Sequence, residues 1–80
     1  MKAYVLINVR PGGVQEVVRD LHRVEGVIEA NMTFGPYDVV AVLKTSDLNQ
    51  LGNILTADIH SIPGVLETLT CLAVEEPGIA

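Results

Sequence analysis

The eighty-residue sequence has no tryptophan, one phenylalanine, two tyrosines, one cysteine and only five cationic side chains against ten acidic ones. The cations, Lys2, Arg10, Arg19, Arg23 and Lys44, are scattered and form no basic run or arm. A chain of net charge −5 without a basic stripe repels a phosphate backbone rather than tracking it, so direct nucleic-acid binding is not expected. The lone Cys71 has no internal disulfide partner, whereas short secreted domains usually carry several bridges; a reducing, cytoplasmic address is expected. No apolar run reaches the roughly 18–20 residues of a membrane span. The opening "MKAYVLINVR" is broken by Asn8 and Arg10 and has no small-residue cleavage site. It predicts a strand, not a signal peptide.

Apolar material is abundant: 49% of the residues are hydrophobic and 19% are charged. A chain this short hides only about 60% of its unfolded surface when it folds alone. It forms one domain at most, and the apolar surplus predicts a surface that meets another subunit. Residues 1–76 are assigned to that domain and 77–80 to a tail, with the closing "EEPGIA" able to fray or to cross to a neighbour.

Periodicity orders the elements. "AYVLINV" alternates, with Ala3, Val5, Ile7 and Val9 on one parity, and predicts a strand. "RPGG" breaks it. Val14, Val17, Val18, Leu21 and Val24 then form the stripe of a helix over about 14–24, stopped by Gly26. "VIEANMTF" and "DVVAVLK" predict two strands, the second apolar on both parities and therefore central. "TSD" offers N-cap oxygens to a second helix over about 47–60, with Leu48, Leu51, Ile54, Leu55 and Ile59 on its stripe. "VLETLTCLAV" is the fourth strand. The order β-α-β-β-α-β predicts an α+β, ferredoxin-like fold: a four-stranded antiparallel sheet with two helices on one face. The other face is expected to carry Tyr4, Leu6, Asn8, Val27, Thr33, Thr68, Thr70, Leu72 and Val74, a set suited to packing on a partner sheet. Leu69, Cys71 and Ala73 are then expected in the core beneath the helices.

Catalytic chemistry finds little support. His22 and His60 fall in predicted helices, away from the sheet, with no carboxylate or cysteine at metal-ligand spacing. Ser46, Asp58, His60 and Ser61 lie on one short segment and do not converge as a triad must. "RPGG" lacks the P-loop lysine and the GxGxxG spacing, which leaves a strand-to-helix turn. No catalytic residue, metal or cofactor is expected. "FGPYD" is the unusual stretch. Gly35 and Pro36 make a stiff corner, and Tyr37 and Asp38 follow it with a flat ring and a carboxylate. On pattern alone it is either a hairpin turn with a solvated Asp38 or one wall of a small polar pocket.

"FGPYDVVAVL" followed by "SIPGVLETLTCLAV" resembles the ligand-binding (RAM) domain of the Lrp/AsnC transcription regulators. The family wording is G-x-Y-D leading into an apolar strand, then L-P-G-V-x-x-T-x-T. Here it falls on Gly35, Tyr37 and Asp38, then Pro63, Gly64, Val65, Thr68 and Thr70, with Ile62 in the leucine position. The family's regulators carry a helix-turn-helix domain ahead of this one, and this chain begins at Met1 directly on the first strand. The resemblance therefore implies a stand-alone effector domain, not an enzyme. It implies a homodimer assembling into an octamer or decamer, with full-length regulators as further partners. It also implies that a small amino acid binds between subunits, in a shell of Gly35, Tyr37, Asp38, Thr68 and Thr70. Asp38 would face the ammonium, the two threonines would offer hydroxyls, and Gly35 would let backbone amides approach where a Cβ has least room. The alternatives are an ACT-type module using "NVRPGGVQEV" as its ligand loop, a small dimeric α+β-barrel enzyme, and an adaptor that binds no ligand.

The charge distribution carries one direct test. The isolated chain at low micromolar concentration should not retard random duplex DNA at low salt; a salt-sensitive gel shift would contradict this.

Overall fold

The computed structural model describes residues 1–74. The expected domain boundary at 76 and the tail 77–80 lie outside the described residues. Strand β1 (Lys2–Val9) is followed by helix α1 (Val14–Leu21), strands β2 (Val27–Met32) and β3 (Val39–Lys44), a second helical segment, and β4 (Val65–Leu72). The sheet order is β2-β3-β1-β4, antiparallel at every pairing. The expected element order and ferredoxin-like topology are both present.

One parity of β1 makes the core. Ala3, Val5, Ile7 and Val9 are buried, as are Val39, Ala41 and Leu43 across the β1–β3 ladder. The helices cover this face with Val17 and Leu21 from α1 and with Leu51, Ile54 and Ile59 from the second segment. Burying a Val, Leu or Ile side chain contributes about 1.5–3 kcal/mol, so this single layer carries the fold.

Helix α1 ends three residues before the expected limit. Arg23 and Val24 close it with backbone bonds to the Asp20 and Leu21 carbonyls, and Gly26 lies in the following turn. The second helical segment begins as expected: the Asp47 carboxylate accepts from the Gln50 N–H at 2.8 Å, and the Gln50 side chain reaches back to the Ser46 N–H. It then changes character. Helix α2 covers Leu48–Asn53, and Ile54–Ile59 continue as a π-helix. Hydroxyls compete for its carbonyls: Thr56 bonds the Gly52 oxygen and Ser61 the Ala57 oxygen. The wider turn also lets Ile54 and Ile59, five residues apart, both point into the core.

The register corrects three sequence expectations. Directly opposed residues of an antiparallel pair project to the same face. Thr68 pairs with Ile7, Thr70 with Val5 and Leu72 with Ala3, so both threonines and Leu72 lie on the helix side of the sheet, not on the open face. Glu67, Leu69 and Cys71 pair with Asn8, Leu6 and Tyr4 and lie on the open side. Cys71 is exposed, not a core residue. Val27 pairs with Leu43 and packs on the core, while Glu29 and Asn31 take the open face of β2; a register shift between Val27 and Glu29 separates them. The open face thus carries Tyr4, Leu6, Val40, Val42 and Leu69, edged by Glu29, Asn31, Glu67 and the cations Lys2 and Lys44.

Gly26 is where the α1–β2 turn disfavours a side chain. Its φ is +98°, its carbonyl accepts from the Lys44 N–H at 2.8 Å, and a Cβ would meet Ile54 Cδ1 at 2.9 Å. Gly26→Ala should destabilise the protein by about 1–3 kcal/mol, measured as a lowered urea midpoint at unchanged slope.

Candidate functional site

The residues after β2 form a hairpin whose corner is Phe34–Asp38. The Thr33 hydroxyl donates to the Tyr37 carbonyl at 2.7 Å, and the Thr33 N–H donates to the Asp38 carbonyl at 3.0 Å. Asp38 is the hinge to the rest of the sheet. Its N–H donates to the Ile7 carbonyl at 2.9 Å, and its Oδ2 accepts from the Val9 N–H at 2.8 Å. The carboxylate thus extends the β1–β3 ladder by one bond beyond the last backbone pair. This is not the solvated turn aspartate of the plain-turn reading: Oδ2 is engaged, and Oδ1 is left with no bond among the described residues. Tyr37 is half-buried beside it.

Gly35 departs from its expected rationale. A Cβ there would meet nothing within 4 Å; what favours glycine is the φ of +157°, a backbone conformation that residues with side chains rarely adopt. Within one chain, crowding does not demand a glycine at this corner. Phe34 is fully exposed beside it, and Met32 is 58% exposed. With Val14, Thr33 and Asp38 these two line an open cleft of about 490 Å³, apolar except for Thr33 and the carboxylate.

Thr68 and Thr70 occupy the opposite edge of the sheet. Ile7 pairs with Val39 on one side and Thr68 on the other, so β1 separates the two groups. Two strand spacings place them roughly 10 Å apart. Thr68 lines a second open cleft, of about 330 Å³, with His60, Val65, Leu66 and Glu67. His60 Nε2 lies 2.8 Å from Thr68 Oγ1. The sequence reading sent His60 away from the sheet; the π-turn brings it back over β4. Its N–H donates to the Leu55 carbonyl, five residues earlier, and a 3.6-residue pattern carries no signal for that change. Among the described residues no group of three or more His, Cys, Asp or Glu comes together as a metal site would require.

One chain therefore presents two separate clefts. The first offers a carboxylate with one free oxygen beside an apolar cleft. The second offers the Thr68 hydroxyl and the His60 imidazole.

Comparison with known proteins places this arrangement. Residues 2–78 match the Lrp/AsnC ligand binding domain. The HTH-type transcriptional regulator FL11 of Pyrococcus horikoshii is 35% identical over 75 residues, covering 94% of this chain and 49% of that protein. The chain spans about half the length of the regulators it matches in this way. The crystal structure of TTHA0845 from Thermus thermophilus superposes with a TM-score of 0.89 at 35% identity, covering 94% of both chains. A Neisseria meningitidis transcriptional regulator in complex with L-Met shares the fold, with a TM-score of 0.84 at 15% identity, over 98% of this chain and 52% of that one. No ACT-type reading is needed for the Arg10–Gly13 turn, where the Gly13 N–H bonds the Arg10 carbonyl and simply closes the step into α1. From its first strand to the end of its last, this chain belongs to the Lrp/AsnC ligand-binding domain family.

Proposed function

We propose that the chain is a non-enzymatic, oligomeric effector domain that senses a small amino acid at a site completed between subunits. It would modulate transcription through partner regulators of its own family. The observation that carries this reading is the division of the polar groups. Asp38 and Thr68 line separate open clefts of one chain, on either side of β1. A zwitterion needs both kinds of partner, a carboxylate for its ammonium and hydroxyls or amides for its carboxylate. A second copy brings the missing half. The L-Met complex of the Neisseria regulator supports an amino acid as the ligand class.

Two further observations support the reading. The space between sheet and helices is occupied by Ile7, Leu21, Leu43 and Ile59, each fully buried, and the relatives that the chain matches are transcriptional regulators. The open sheet face exposes Tyr4 at 38% and Leu69 at 50%, beside Leu6 and Val40. Two such faces packed together give a dimer, and association through the clefts gives an octamer or decamer.

Light scattering at micromolar concentration should give a dimer or larger species. Leu69→Asp, which places a charge opposite Leu6 on the open face, should shift the population towards monomer; a wild-type monomer would overturn the assembly.

Ligand binding is tested by a thermal-shift screen against the twenty amino acids, since a ligand of the native state raises the melting temperature. Calorimetry on Asp38→Asn then separates charge from structure, because the amide oxygen still accepts from the Val9 N–H. Asp38→Asn should weaken binding roughly ten- to a hundredfold with little loss of stability. Asp38→Ala should also destabilise the fold by about 1.5–3 kcal/mol, because it leaves that N–H unpaired. Unchanged affinity in Asp38→Asn would remove Asp38 from the site, and no shift with any amino acid would favour the ligand-free adaptor.

A further inference from the structure

We propose that His60 is a positioning residue that sets the hydrogen-bond polarity of Thr68 and thereby makes carboxylate binding at the β4 cleft pH-dependent. The proposal rests on the amino-acid-site reading above for its ligand class, and on three observations for its geometry. His60 Nε2 stands 2.8 Å from Thr68 Oγ1. Both residues line the same open cleft. The π-helix of Ile54–Ile59, rather than a regular helical turn, delivers His60 to that position.

The chemistry follows from the hydroxyl's inventory of one donor and two acceptor lone pairs. When Nε2 is unprotonated it accepts the Thr68 O–H, and the hydroxyl has no donor left for a ligand carboxylate. When Nε2 carries a proton it donates to Thr68 Oγ1, and the Thr68 O–H is free to point into the cleft. The imidazolium fixes the second arrangement outright, because both of its ring nitrogens are donors, and it adds a positive charge near the incoming anion. Histidine is the side-chain type that ordinarily changes charge between about pH 5 and 8. Carboxylate binding should therefore tighten as pH falls through that window. The other charged groups near the cleft are Glu67 on its β4 wall and Arg10, whose Nε lies beside Gly64 just before Val65; Asp58, two residues before His60, lines a different cleft with Asp20 and Arg23. Glu67 opposes an anion and Arg10 favours one. Neither contacts Thr68 Oγ1, so neither replaces His60 in setting its direction.

The test uses acetate, a carboxylate without an ammonium, followed by NMR on protein labelled with ¹⁵N in its histidine rings. Binding is measured at pH 5.5 and 8.0 for the wild type, His60→Gln and Thr68→Val. The wild type should bind acetate about tenfold more tightly at pH 5.5, the size of one charge-assisted hydrogen bond. Acetate should also perturb the His60 Nε2 resonance. His60→Gln, which keeps a neutral donor, should bind with an affinity that does not change between the two pH values. Thr68→Val should lose the pH-sensitive component. A histidine that merely braces the edge strand would lower the melting temperature on replacement and leave the pH profile intact. Equal wild-type affinity at both pH values, no binding at either, or the same pH profile in His60→Gln would overturn the proposal. Acetate binding that follows the expected profile while none of the twenty amino acids binds would leave the His60 assignment standing and overturn the amino-acid reading.

Discussion

Ile7 has a strand on each side, and the pairing it makes there governs everything polar in this protein. It is fully buried, faces Val39 on β3 and Thr68 on β4, and hands its carbonyl to the N–H of Asp38. Side chains alternate across a strand, so a slip of one residue in either ladder would turn every partner to the opposite face. With Ile7 pinned beneath the helices, Thr68 and Thr70 lie on the helix side and Cys71 on the open side. The same register leaves Asp38 one step past the last β3 pair, where its carboxylate takes the Val9 N–H. The site's polar groups are thus fixed by an apolar contact.

The parts of this fold that were legible in the sequence are those where polarity and burial coincide. Ala3, Val5, Ile7 and Val9 form a clean apolar parity and are buried. Asp47 precedes its helix with a capping oxygen and caps it. On β4 the coincidence fails. The more polar parity, Thr68 and Thr70, lies under the helices, and the more apolar one, Leu69 with Cys71, faces outward. An edge strand reached by little helical cover can place hydroxyls on the inner side without sealing them from solvent. On the open face, which was expected to pack on a partner sheet, Leu69 stands where the threonines were expected.

The candidate residues stand out in the sequence, but their arrangement does not. Gly35, Tyr37, Asp38, Thr68 and Thr70 stand out by their motif wording, yet nothing in that wording says that β1 runs between them. His60 is absent from the wording altogether. Its approach to Thr68 depends on an i−5 backbone bond to Leu55, favoured where Thr56 and Ser61 draw on nearby carbonyls and where Ile54 and Ile59 both seek the core. Each of those causes is weak in sequence, and only their sum in the folded chain moves the imidazole.

Under the proposed function, Asp38 serves structure and recognition at once. A carboxylate held by a ladder N–H has lost the rotational freedom that a ligand would otherwise have to remove, so its second oxygen is presented already oriented. Its apolar surroundings, Val14, Met32 and Phe34, would lower the local dielectric and strengthen a charge pair there only once a partner covered them. Fully exposed Phe34 and 58%-exposed Met32 also mean that one chain leaves this cleft open to water. A neighbouring copy that covered them would bury apolar area and desolvate the Asp38 carboxylate in the same step. That desolvation costs free energy unless a cation arrives with the partner. A cleft built in this way favours assembly with a ligand ammonium in place over assembly without one. Because such coupling is reciprocal, the assembled state would bind the ligand more tightly than the separated chains do.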